Sequence, residues 1–140
     1  VVILSEMIHD ARFIRLNASH REQGFPTWMG ESVGYWEGDT LVVHSKNFRP
    51  EQSSGRMFLP LSSELEVVER YTLVGDNDIH YAFTATDEMA FSQAITGERI
   101  ITRNAKGEHV YEYGCHEGNY SLPGILRAAR RDDVEASLGL

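Results

Sequence analysis

The chain has 140 residues, 21 acidic and 13 basic side chains, and a formal net charge of -8. This charge repels nucleic acid and anionic membranes, and the basic cluster Arg127, Arg130 and Arg131 is followed at once by acidic residues. The sequence has no apolar run of about 18 residues that could span a membrane as a helix, and it shows no signal peptide. The length predicts one domain over residues 1–140.

Apolar and polar residues alternate along most of the chain, which predicts a mostly β protein. The two-residue turn Gly38-Asp39 and the turns at 75–78 and 104–107 join neighbouring strands as antiparallel hairpins. About eight strands in one small domain must either close into a barrel or split into two sheets to protect their edges, and we expect a closed, lipocalin-like antiparallel β-barrel with an internal pocket. The predicted strands are 1–8, 11–17, 33–37, 40–48, 63–74, 79–86, 94–104 and 109–115.

A histidine and an arginine lie near the first predicted turn. His9 is a candidate acid or base, and Arg12 could hold a substrate carboxylate through its rigid fork of donors. The alternative is that His9 caps the turn and Arg12 faces water.

The second predicted strand is followed by a long loop, residues 18–32, that carries large apolar side chains. A loop of this kind folds back over a core or closes one end of a barrel. We therefore expect Trp28 from this loop, and Trp36 from the next strand, to form walls of the pocket.

Alternation in the strand at 63–74 places Glu69 on the apolar face, together with Val67 and Tyr71. A carboxylate in that position is partly desolvated, which suits a general acid or base. Two alternatives are a bulge that turns Glu69 to solvent and a neighbouring arginine that pairs with it structurally.

Tyrosines recur on the inward faces of later strands: Tyr81 on one strand, and Tyr111 and Tyr113, with Cys115, on the last. Such residues give a flat apolar wall with phenolic donors, which suits an aromatic or carbonyl-bearing small molecule. Core packing uses the same residues, so the alternative is that they are structural.

The segment 111–120 also contains His116, next to Cys115 and Glu117, at the end of the last predicted strand. His116 is a candidate proton carrier, and Tyr113 could donate to the substrate. A metal site with His9 is disfavoured because no metal-ligand spacing is present, and a Cys115–His116 pair is disfavoured because strand neighbours point to opposite faces. No cofactor-binding motif is present. Residues 122–131 predict a helix on the outside of the barrel.

The run from Trp28 to Val43 (WMGESVGYWEGDTLVV) and the run from Tyr111 to Tyr120 (YEYGCHEGNY) resemble an uncharacterised family of bacterial hypothetical proteins. Most members are predicted to be exported, so the resemblance implies an exported chain, with the periplasm as the expected location, but no established activity. The chain departs from the family's commoner Asp-Pro after Thr86, because Asp87 precedes Glu88 here, and we expect a differently shaped loop.

Two functions of different classes agree with these features. The first is a cofactor-independent enzyme, such as a lyase, decarboxylase or isomerase, acting by acid–base chemistry on a small aromatic or carboxylated molecule. Its catalytic candidates are Glu69, His116, His9 and Tyr113, and its substrate-binding candidates are Arg12, Trp28, Trp36, Tyr71, Tyr81 and Tyr111. The second is a non-catalytic binding protein for a small apolar ligand. Either could form a homo-oligomer.

Overall fold

A computed structural model describes residues 1–22, 24–49, 61–109, 111–114, 117–118 and 120–138. The fold is mostly β: seven strands form one sheet that curls into a half-barrel, and one helix lies near the C-terminus. The strands are β1 (Val2–Leu4), β2 (Ala11–Leu16), β3 (Glu31–Glu37), β4 (Thr40–Lys46), β5 (Glu66–Leu73), β6 (Asp78–Thr86) and β7 (Ile95–Thr102). A short 3-10 helix, Met7–His9, lies between β1 and β2, and the C-terminal helix α1 is Ser121–Leu138.

The strands lie in the sheet in chain order, and all neighbours are antiparallel except β2 and β3. Those two are parallel, with Ile14 opposite Ser32, so the long connection between them returns the chain to the end of the sheet at which β2 begins. The expectation of a wholly antiparallel sheet is therefore wrong at this pair.

Two predicted hairpins are confirmed. Gly38 has a φ of +55° between the paired residues Glu37 and Thr40, which is the left-handed conformation that glycine adopts without steric cost. The turn at 75–77 is closed by Val74, whose N–H donates to the Asp78 carbonyl at 3.0 Å.

The described residues do not form a closed barrel: β1 and β7 are the two edges of the sheet and do not pair with each other. The predicted strand at 109–115 is also not formed by its described residues, 109 and 111–114. There the backbone N–H of Tyr111 donates to the Glu6 carboxylate at 3.0 Å. In a strand, this N–H would instead donate to the backbone carbonyl of a neighbouring strand. Cys115 lies outside the described residues.

The core lies on the inner, concave face of the half-barrel. Ile14, Leu41 and Val43 are buried there and pack against the partly buried Ile3 and Tyr71. The strand register continues this face across β5 and β6, since Leu41 lies opposite Tyr71 and Tyr71 lies opposite Tyr81.

Helix α1 extends to Leu138, beyond the predicted end at residue 131, and has no buried residue. The predicted packing of this helix on the outside of a barrel is therefore not observed. No helix in the described ranges has both the length and the apolar character needed to cross a membrane.

Candidate functional site

Three strands bring together four residues that the sequence singled out, and we call them the Glu69 cluster: Arg12 from β2, Glu69 and Tyr71 from β5, and Tyr81 from β6. Glu69 and Tyr71 are two residues apart, so they share the inner face of β5. The antiparallel register then sets Tyr81 directly opposite Tyr71. As the alternation predicted, Glu69 is buried.

The Glu69 carboxylate accepts four hydrogen bonds. Arg12 donates from Nη1 to Oε2 at 2.6 Å and from Nη2 to Oε1 at 3.1 Å, which is a bidentate ion pair. The hydroxyls of Tyr71 and Tyr81 donate to Oε1 at 2.8 and 3.0 Å. Three of these bonds end on Oε1 and one ends on Oε2, so the protein itself engages both oxygens of this buried carboxylate. The structural arginine partner considered as an alternative is thus present, and it is Arg12.

Both tyrosine hydroxyls in the cluster keep their protons. Burial, followed by the negative charge of Glu69, raises the pKa of Tyr81 to about 12 and that of Tyr71 further. Burial alone would lower the pKa of Arg12, but its hydrogen bond to Glu69 and the charge of Glu69 raise that pKa above its ordinary value. Near neutral pH the cluster therefore holds a guanidinium and two phenol donors around Glu69.

Aromatic rings continue from the cluster toward β7. The rings of Tyr71 and Tyr81 are 4.9 Å apart, and Phe83 stacks on Tyr81 at 6.1 Å. The guanidinium of Arg99 lies 5.6 Å from the centre of the Tyr81 ring, within cation–π range. The sequence had given no reason to single out Arg99.

An apolar cleft of about 500 Å³, which we call the inner cleft, opens beside the Glu69 cluster on the concave face. Trp36 and Tyr71, two of the predicted binding residues, lie in its wall. Its only charged lining residue among those described is Asp39, at the β3–β4 turn. The lining residues are Val2, Ile3, Trp36, Asp39, Leu41, Tyr71, Leu73, Ile79 and Ile101.

The remaining predicted residues are not part of this cleft. Trp28 lines a separate cavity, to which Arg12 also contributes. His9 contacts Tyr113 edge to face, with ring centres 6.3 Å apart, and Tyr111 is joined to Glu6 through its backbone. Among the described residues, no hydrogen bond links His9 or Tyr111 to the Glu69 cluster. His116 lies outside the described residues.

Sequence reasoning missed a second polar network, centred on Glu31. This carboxylate pairs with Arg15 and accepts from the backbone N–H of Arg21 and the side chain of Asn47, so it ties the loop before β3 to the sheet. Burial alone would raise its pKa, but the bond from Arg21 and the charge of Arg15 lower it below the ordinary value. Three partners from distant positions leave no local signal in the sequence.

Two histidines extend this network, although neither carries a sequence pattern. His44 Nε2 lies 3.1 Å from a Glu66 oxygen, and His44 Nδ1 lies 3.1 Å from His20 Nε2. His20 Nδ1 is buried and 3.7 Å from Glu31, and it makes no hydrogen bond to the described residues.

Burial, then His44 and Lys46, lower the pKa of His20 below 6.5, so this ring is neutral near pH 7. Among the described residues, no group of three histidine, cysteine or carboxylate side chains is arranged to hold a metal ion.

A comparison of the chain with protein-family models, curated proteins and solved structures found no match.

Proposed function

We propose that this protein binds a small apolar ligand in the inner cleft and does not transform it chemically. The observation that carries the proposal is the cleft itself: about 500 Å³ of concave, mainly aliphatic and aromatic wall on the inner face of the half-barrel. Ligand sites in proteins are concave and mostly apolar, with few polar groups to orient the ligand. Here the described lining residues with polar side-chain atoms are Asp39, Trp36 and Tyr71.

The contacts of Glu69 favour binding over the acid–base enzyme. General acid or base catalysis requires a carboxylate that can exchange a proton with the substrate. Both oxygens of Glu69 are hydrogen-bonded within the protein, Oε2 to Arg12 and Oε1 to Arg12, Tyr71 and Tyr81, and the residue is buried. Proton transfer to Glu69 would have to disrupt a buried bidentate ion pair, so we assign Glu69 a structural role and give the lyase, decarboxylase or isomerase less support.

Other parts of the interpretation are also proposals. A ligand-binding role fits the exported, periplasmic location that the family resemblance implies. It requires a small-molecule partner and neither nucleic acid nor a membrane. Assembly into a homo-oligomer is a separate proposal, which light scattering on the purified chain would test.

The test uses a neutral apolar fluorophore, N-phenyl-1-naphthylamine, which becomes bright in apolar surroundings. In the Trp28→Phe variant, Trp36 is the remaining tryptophan and lies in the inner cleft. We expect saturable binding of the fluorophore, with energy transfer from Trp36.

Neighbouring residues of β7 supply a matched pair of variants, because Ile101 lines the cleft and Ile100 points to the opposite face. Burying an isoleucine side chain contributes about 1.5–3 kcal/mol, so Ile101→Lys should weaken binding roughly tenfold or more. Ile100→Lys should leave binding unchanged. Equal effects of the two substitutions, or no saturable binding to the wild type, would refute the proposed site.

A further inference from the structure

A second cavity, to which Arg12 contributes, lies between the start of β2 and the segment 24–32, and we call it the loop cavity. Its volume is about 480 Å³. Whereas the inner cleft is lined mainly by aliphatic side chains, this cavity combines arginines with aromatic rings. The residues that matter for the argument are Arg12, Arg15, Arg21, Phe13, Phe25 and Trp28.

The loop cavity is locally positive in a chain whose net charge is -8. Its charged lining consists of three arginines and the single carboxylate of Glu31. Arg12 is committed to Glu69, and Arg15 is tightly paired with Glu31. Arg21 reaches Glu31 only at 3.8 Å, and its side chain is 68% exposed. The guanidinium of Arg21 is therefore available to an anion.

A further cation stands beside this cavity. The guanidinium of Arg49 lies 5.3 Å from the centre of the Trp28 ring, and its Nε donates to the Pro26 carbonyl at 3.3 Å. Within the described ranges, no carboxylate pairs with Arg49. Arg49 thus keeps donors free next to an aromatic wall, where an arginine recognises a planar carboxylate through two parallel hydrogen bonds.

Three aromatic rings around the loop cavity are exposed, although rings of this size normally pack into a core. Phe13 is 70% exposed, Phe25 90% and Trp28 54%. Phe25 and Trp28 come from the loop before β3, and Phe13 comes from the outer face of β2. Flat apolar surfaces beside the guanidinium groups of Arg21 and Arg49 suit a ligand that has a planar ring and a negative charge.

We propose that the loop cavity is a second binding site, which takes a planar aromatic carboxylate. The ring packs against Trp28 and Phe25, and Arg21 and Arg49 hold the carboxylate. This site is separate from the inner cleft and does not depend on the function proposed for that cleft.

The test is a titration of the Trp36→Phe variant, in which Trp28 is the remaining tryptophan, with 1-naphthoate. We expect saturable quenching of Trp28 that weakens as ionic strength rises, because an exposed charge pair is screened by salt. The neutral analogue 1-naphthylmethanol should bind at least about tenfold more weakly, since it lacks the charge that Arg21 and Arg49 recognise.

Two exposed arginines provide the variants, so loss of folding is not a concern. Arg21→Gln combined with Arg49→Gln should weaken 1-naphthoate binding about tenfold or more. Arg130→Gln, on the exposed helix α1, is the matched control and should change nothing. The proposal is overturned if 1-naphthoate does not quench Trp28 saturably, if 1-naphthylmethanol binds equally well, or if the paired arginine variant binds like the control. Since the inner cleft is assayed with a neutral ligand and Trp36, failure at one site is distinguishable from failure at the other.

Discussion

Adjacent residues on β5 form two ion pairs of the same length in opposite surroundings. Glu69, on the inner face, pairs with Arg12 at 2.6 Å, and Arg70, on the outer face, pairs with Glu37 at 2.6 Å. The side chains of the inner pair are 13% and 5% exposed, and those of the outer pair are 46% and 45% exposed. Equal distances therefore conceal very different electrostatic conditions.

This difference indicates that the free energy of unfolding lost when an ion pair is broken depends more on burial and hydrogen bonding than on the distance between the charged atoms. Water and salt screen the outer pair, so breaking it lowers the free energy of unfolding only slightly. The inner pair has given up its hydration, and Arg12 with two tyrosine hydroxyls replaces that hydration around Glu69. Removing one partner of a buried pair leaves an uncompensated charge, which is strongly destabilising.

The largest effect is expected from Glu69→Gln, which keeps the shape of the side chain and removes its charge. Arg12 would then be a buried cation without a counterion, so the free energy of unfolding should fall by about 3–5 kcal/mol. Urea unfolding followed by tryptophan fluorescence measures this change. A loss below about 1 kcal/mol would mean that water reaches the pair and that burial does not set its contribution.

A pH titration sharpens the contrast between buried and exposed charge at the histidines. Burial, with His44 and Lys46, lowers the pKa of His20 below 6.5, despite Glu31 nearby. The unfolded chain therefore binds more protons than the folded chain once the pH falls below about 6.5, so stability should decline as the pH falls from there. The loss should be smaller than that of Glu69→Gln.

The measurement is the unfolding free energy between about pH 7.5 and 5.5, above the range in which carboxylates with lowered pKa values, Glu31 and Asp87, take up protons. His20→Gln should flatten the pH dependence. His80→Gln, at the exposed His80–Glu98 pair, should leave it in place. If both variants behaved alike, burial of His20 would not be the cause.

The smallest effect is expected from Glu37→Gln, which breaks the exposed pair with Arg70. Both side chains remain hydrated after the substitution, so the free energy of unfolding should not change measurably. The same urea assay serves as the matched control for Glu69→Gln. A loss comparable to that of Glu69→Gln would remove the distinction between the two faces of β5.

Part of this structure was accessible from local sequence patterns. Alternation placed Glu69 and Tyr71 on the buried face of β5, and the glycine of the Gly38-Asp39 turn fixed the β3–β4 hairpin. Both depend on residues that are close in the chain, where the strand period and turn geometry decide the outcome.

The features that could not be predicted from the sequence depend on contacts between residues far apart in the chain. Arg12 and Glu69 are 57 positions apart, so their pairing requires the curl of the sheet, which alternation does not encode. The parallel pairing of β2 with β3 follows from the path of a long loop. The alternating residues 111–113 predicted a strand, but a backbone bond from Tyr111 to the Glu6 side chain takes the place of strand pairing there.

The central claim is that Glu69 stabilises the inner face and takes no part in ligand chemistry. Its most direct test is the affinity of the Arg12→Met, Glu69→Gln double variant for N-phenyl-1-naphthylamine. This variant removes both charges of the buried pair together, and the amide oxygen of Gln can still accept from the hydroxyls of Tyr71 and Tyr81. We predict a folded variant whose dissociation constant stays within about twofold of the wild-type value. A folded double variant that bound the fluorophore about tenfold more weakly would contradict the claim.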